Sequence, residues 1–113
     1  MPADTPAEQF VVHDTLNFGT AKPDGIVAPE EWQEFLQTTV TPRFPRGFAT
    51  LASSGQWRGA DGSTVQEASH VLILDHPNDT ASEHAVREII STYKSRFQQE
   101  AVFRVKTDAC ISF

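Results

Sequence analysis

Between Gln9 and Phe18 the side chains alternate. Phe10, Val12, Leu16 and Phe18 fall on one side, Val11, His13, Thr15 and Asn17 on the other, and Asp14 interrupts the apolar side. A period of two predicts a strand with one buried face. Pro23-Asp24-Gly25 then signals a turn. Ala28-Pro29-Glu30-Glu31 opens a helix, since proline fits the first turn and acids suit its positive end. Trp32, Phe35, Leu36 and Val40 follow the spacing of one helical face, and Pro42 and Pro45 are expected to end it. The stretch from Thr41 to Gly47 is a stiff connection. Phe48 to Arg58 predicts a second strand, with a bulge at Ser53-Ser54-Gly55. Gly59-Ala60-Asp61-Gly62 reads as a hairpin turn into a third strand, Thr64 to Asp75, whose Val71-Leu72-Ile73-Leu74 is apolar on both faces. Thr80-Ala81-Ser82-Glu83 has the form of a capping box. It predicts a second helix to about Gln99, burying Val86, Ile89, Ile90, Tyr93 and Phe97. Ala101 to Lys106 is expected as the last long strand, with Phe103 and Val105 inside, and Cys110 to Phe113 as a short closing strand.

Two helices set between strands, with a hairpin in the middle, predict an α+β fold of the ferredoxin-like β-α-β-β-α-β kind. An antiparallel sheet carries both helices on one face. The expected layout is a flexible tail over residues 1–8 and a single domain over residues 9–113. Nothing within the chain is left to cover the other sheet face. A homodimer that pairs two such faces into an α+β barrel is therefore expected.

The 113 residues include 9 basic and 15 acidic side chains, a formal charge of −6. Nucleic acid and anionic membrane surfaces both call for a dense basic face, so neither is expected as a partner. The single cysteine, Cys110, rules out an internal disulfide and a Cys-rich zinc site. It is expected to be a buried structural thiol. No apolar run is long enough to span a bilayer, and no signal peptide is visible, so a soluble protein is expected, cytoplasmic or exported with its leader trimmed.

Candidate chemistry depends on which side chains share the uncovered face. Placing Leu72 and Leu74 against the helices sends His13, Thr15, Asn17, Glu67, Ser69, Val71 and Ile73 to the open face. Arg104 and Lys106 are expected there too. Gln56 and Arg58 share one face of the second strand and Trp57 the other. The candidate catalytic set is His13 as general base, Glu67 to orient it, and Arg58 to hold an anionic oxygen, as Arg104 also would. Gln56, Trp57, Ser69 and Arg104 are the candidate substrate-binding residues, although a large aromatic such as Trp57 is more commonly a core anchor. This set suits an isomerase, cyclase or lyase that moves a proton on an anionic or aromatic small molecule without a cofactor. A non-catalytic ligand-binding or dimerisation module, and a cofactor-free oxygenase of the dimeric-barrel type, are the alternatives. The four histidines, His13, His70, His76 and His84, show no metal-ligand spacing. Pro2, as an N-terminal amine, heads a polar tail and is poorly placed for catalysis. Asn78-Asp79-Thr80 matches a glycosylation pattern but is equally a turn and helix cap.

Several motifs together carry a family resemblance. They are Asp14-Thr15-Leu16-Asn17-Phe18-Gly19, Glu31-Trp32, Thr41-Pro42-Arg43-Phe44-Pro45, Gln56-Trp57-Arg58-Gly59, Val71-Leu72-Ile73-Leu74, and Tyr93-Lys94 followed by Arg96-Phe97. In this order they resemble the family known as domain of unknown function 3574, from about His13 onward. The resemblance implies no catalytic residues, because the family has no settled activity. Its members often carry an export or lipoprotein leader, which leaves location open.

Overall fold

The structure is a computed structural model that describes residues 8–113; the tail, with Pro2, lies outside the described residues. The chain runs β1 (Glu8–Gly19), the short pair β2 (Ala21–Lys22) and β3 (Gly25–Ile26), α1 (Pro29–Phe35), a π-helical turn (Leu36–Val40), α2 (Thr41–Arg43), β4 (Ala49–Arg58), β5 (Thr64–His76), α3 (Thr80–Arg96) and β6 (Phe103–Ser112). Four long strands form one antiparallel sheet in the order β4-β5-β1-β6.

The alternation in β1 sets the layers. Val12, Asp14, Leu16 and Phe18 are buried on the helix side. Phe18 is the hub of that layer, with ring centroids 5.2 Å from Trp32, 5.9 Å from Phe35 and 4.7 Å from Tyr93. Leu72 and Leu74 of β5, and Val86, Ile89, Tyr93 and Phe97 at α3, complete the core. His70 stacks on Trp32 at 4.3 Å, and burial pushes its pKa down, which favours a neutral ring.

Four local expectations change. The first helix does not stop at Pro42. Thr41 donates to the Leu36 carbonyl five residues back, and the widened turn puts Pro42 into the first turn of α2, where a missing N–H costs least. The cap of α3 is Asp79, whose carboxylate accepts from the Ser82 N–H at 2.7 Å. Glu83 is thereby released to bind arginine. No bulge breaks β4, because its pairing with β5 is continuous from Ala49 to Arg58. The chain end is one strand, β6, paired along β1 from Asn17 to Glu8.

The helix α3 ends with Gln98 in the left-handed region, at φ 50°, and the Gln99 N–H returns to the Lys94 carbonyl at 3.0 Å. This closure aims the Gln99 side chain at β2, where its amide donates to the Ala21 carbonyl at 2.7 Å.

Candidate functional site

Residues directly paired across an antiparallel sheet point to the same side. Glu67 of β5 pairs with Gly55 of β4, and Ser69 pairs with Gly19 of β1 and Ser53 of β4. Glu67 thus stands on the open face between two glycines. Missing side chains at Gly19 and Gly55 leave a hollow of about 610 Å³, walled by Trp57, Phe103, Asn17, Gln99 and Ser69. Glu67 and Trp57 also border an adjoining cleft that reaches Lys22 and Gln98.

The walls are held from behind. Tyr93 donates its hydroxyl to the Gly19 carbonyl at 2.7 Å. Burial, reinforced by the charges of Glu67 and Glu31, pushes its pKa far up, so it stays a neutral donor. One oxygen of Glu67 accepts from the Ala21 N–H at 2.6 Å. A Cβ on Gly19 would come within 2.9 Å of that same oxygen, so glycine is what lets the carboxylate sit there. Ser69 is 6% exposed, and its hydroxyl has no hydrogen-bond partner among the described residues. A buried orphan hydroxyl costs stability unless something binds it. The hollow therefore offers a half-partnered carboxylate, a free hydroxyl, two aromatic walls and the side-chain amides of Asn17 and Gln99. Among the described residues, no three of His, Cys, Asp and Glu gather as a metal site would need.

Of the residues predicted to act together, Glu67, Ser69 and Trp57 meet here, and the others do not. Trp57 is not a core anchor; it points to the open face, 48% exposed. Gln56 borders the hollow, but its side chain pairs with Gln66 on the opposite face. Arg58 shares that opposite face at the hairpin end, opposite Thr64. His13 pairs with Asp75, eight positions from Glu67 along β5, which is about 27 Å at strand spacing. Glu67 therefore does not orient His13. Asp75 does, its carboxylate accepting from His13 Nδ1 at 2.7 Å.

Arg104 and Lys106 correct the phase assigned to the last strand. Leu16 pairs with Arg104 and Asp14 with Lys106, which puts both on the helix side. Phe103 and Val105 take the open face, 70% and 44% exposed. Sequence phase failed here because the helix-side positions of β6 are charged. Arg104 binds Asp14 through Nε at 2.6 Å and Nη2 at 3.0 Å, and Glu83 through Nη1 and Nη2 at 2.9 Å. Asp14 is fully buried and also meets His76 Nε2 at 2.6 Å. Burial pushes the Asp14 carboxyl up, but the hydrogen bonds from Arg104 and His76 outweigh that and hold it below its usual value. Hydrogen bonds from Arg104, Arg87 and Lys106 hold Glu83 well below its own. Every charge in this cluster is matched, so it is a structural clamp between β1, β6 and α3. Asp14 breaking an apolar face was its sequence signal. Cys110, too, is exposed and lies 3.1 Å from a Glu8 carboxylate oxygen, whose hydrogen bond pushes the thiol pKa up.

The model of the family described as "Protein of unknown function (DUF3574)" matches residues 13–113. The chain belongs to this family. No curated protein matches the chain. Its fold is similar to that of a phage SAM lyase solved in complex with S-methyl-5'-thioadenosine, at 14% identity and a TM-score of 0.65, covering 91% of this chain and 90% of that one. A phage SAM lyase in the apo state matches at 15% identity and a TM-score of 0.57, covering 94% and 89%. At such identity the likeness of this DUF3574 chain is one of fold. No helix among the described residues is long and apolar enough to cross a membrane.

Proposed function

We propose that the chain is a cofactor-independent small-molecule lyase whose site is the open-face hollow around Glu67. The observation that carries this reading is the pairing of a half-free carboxylate with an orphan buried hydroxyl between aromatic walls. The likeness to a SAM lyase supports a sulfonium such as S-adenosylmethionine as the substrate class to test. An acidic, aromatic-walled hollow suits a cation that carries a flat ring, with Trp57 and Phe103 available for stacking. A sulfonium is its own leaving group. When its bond to the amino-acid chain breaks, the electron pair stays on sulfur and a neutral thioether departs. The departing carbon is satisfied either by the substrate's own carboxylate, closing a lactone, or by loss of a neighbouring proton, giving an alkene. In the first case Glu67 holds the substrate ammonium and fixes the folded geometry; in the second it takes the proton. The product distinguishes them. A ferredoxin-like arrangement of the four-stranded antiparallel sheet belongs to this reading.

Incubation of the protein with S-adenosylmethionine, followed by chromatography, is expected to release methylthioadenosine. Glu67→Gln should abolish most of that release while leaving the fold intact. Release equal to that of buffer, or unchanged in Glu67→Gln, would remove the reading.

A second reading has its own observation. Leu51 on one edge strand and Phe103 and Val105 on the other are exposed apolar side chains of the open face. They favour a homodimerisation surface, in line with a dimeric barrel. Light scattering is expected to show a dimer that Phe103→Glu converts to a monomer; a monomeric wild type would discard it.

A further inference from the structure

A second concave site lies at the other end of β5. The connection after α2, the last residues of β5 and the start of α3 enclose about 420 Å³, within the range of small-molecule pockets. Its walls include Arg43, Phe44, Pro45, Arg46, His76 and Pro77. His76 lies nine positions from Glu67 along β5, about 30 Å away at strand spacing.

The walls are set before any ligand arrives. Pro42 and Pro45 stiffen the connection, and the Gly47 N–H closes a turn onto the Phe44 carbonyl at 3.2 Å. Gly47 has φ 133°, a conformation that disfavours any side chain. Arg43 is fixed by the Thr39 carbonyl at 2.9 Å and by Glu88 at 2.6 Å, which uses two of its five N–H groups. Phe44 packs against the His76 ring at 5.9 Å.

The charge of this pocket runs against that of the chain. His76 Nδ1 faces the Pro77 carbonyl at 2.8 Å, and Nε2 faces the Asp14 carboxylate at 2.6 Å. Both ring nitrogens are thus engaged by neighbouring oxygens. Arg46 has no hydrogen bond or ion pair among the described residues. The acids nearby are occupied: Asp75 by His13, Glu88 by Arg43, with His84 on its other oxygen, and Asp14 by Arg104. Arg43 and Arg46 thus border a cavity that also has Asp75 in its wall, on a chain of net charge −6, and Arg46 lacks a counter-charge among the described residues.

We propose that this cavity is a second ligand site, which takes a small organic carboxylate with an apolar body. Arg46 supplies the planar fork that a carboxylate matches bidentately, with Arg43 on the same wall. Phe44, Pro45 and Pro77 cover the apolar part. The site is independent of the hollow around Glu67 and stands whether or not that hollow is catalytic.

The test is a titration of the labelled protein with benzoate, followed by amide chemical shifts, with chloride at matched ionic strength as the blank. Saturable shifts are expected at Arg46, Gly47 and His76, with Gly55 and Ser69 unmoved. Arg46→Gln should weaken binding about tenfold or more, and Arg46→Lys by less, because lysine keeps the charge but loses the fork. Arg46 is exposed, so both variants are expected to fold as the wild type does. No saturable shift up to about 20 mM benzoate, far weaker than any useful affinity, would overturn the proposal. So would equal binding in Arg46→Gln, and inorganic phosphate binding as tightly as benzoate would overturn the ligand class.

Discussion

Asp14 and Glu67 are carboxylates on adjacent strands of one sheet, and their surroundings are opposite in kind. Asp14 faces the helices, is fully buried, and has both oxygens taken by Arg104 and His76. Glu67 faces away from them, flanked by glycines, with one oxygen bound to a backbone N–H. A buried charge with every valence matched holds elements together and has nothing left for a ligand. A carboxylate beside an orphan hydroxyl has capacity to spare. Charge type alone, which is all a sequence displays, does not tell the two apart; partners do.

The comparison breaks most visibly at Arg104. Arg104→Ala leaves Asp14 buried without its main partner and is expected to cost about 3 kcal/mol or more in urea unfolding. Glu67→Gln should cost under about 1 kcal/mol, as most partly exposed substitutions do. Equal losses would erase the distinction. Acid sharpens it further. Asp14 and Glu83 have folded pKa values below their ordinary 3.8 and 4.5. A depressed folded value means that their contribution is present above the ordinary values and is lost as pH falls from there through the folded values. Urea midpoints should therefore fall from about pH 6 to about pH 3, and Asp14→Asn should flatten that slope.

Smaller effects belong to the supports of the hollow. Tyr93→Phe removes the bond to the Gly19 carbonyl and should cost about 1 kcal/mol, measured by the same unfolding. Gly19→Ala meets the ends of two flexible side chains, the Glu67 carboxylate and Gln99 Oε1, so stability should change by under about 1 kcal/mol. Turnover should nevertheless fall, because the carboxylate is displaced. Ser69→Ala is expected to be the mildest. Removing an unsatisfied buried hydroxyl is neutral or stabilising by up to about 1 kcal/mol, while ligand affinity declines.

Most of the architecture was legible in the chain, because the apolar alternation of β1 and the helical stripe of α3 repeat over many residues. Leu16 and Phe18, or Ile89 and Tyr93, have one buried solution. The candidate site was legible only in part. Glu67 and Ser69 were placed correctly by Leu72 and Leu74, which anchor the phase of β5. Phe103 and Val105 were misplaced, because an apolar residue in β6 signals burial only if some element covers it, and the open face covers neither. Arg104 was read as a ligand group for the same reason: its true partner, Asp14, is 90 residues away in sequence. Gly55 was read as part of a bulge, and Gly19 entered only as part of a family motif. Their role as absences on either side of Glu67 emerges only from strand register.

The proposed lyase reading requires the hollow beside Trp57 and Glu67 to receive a thioether nucleoside such as S-methyl-5'-thioadenosine. Intrinsic tryptophan fluorescence, titrated with S-methyl-5'-thioadenosine, tests it most directly, since Trp32 is buried and Trp57 is exposed at the hollow. Saturable quenching in the wild type that disappears in Trp57→Phe is the predicted result. No quenching, or quenching that persists unchanged in Trp57→Phe, would contradict the account.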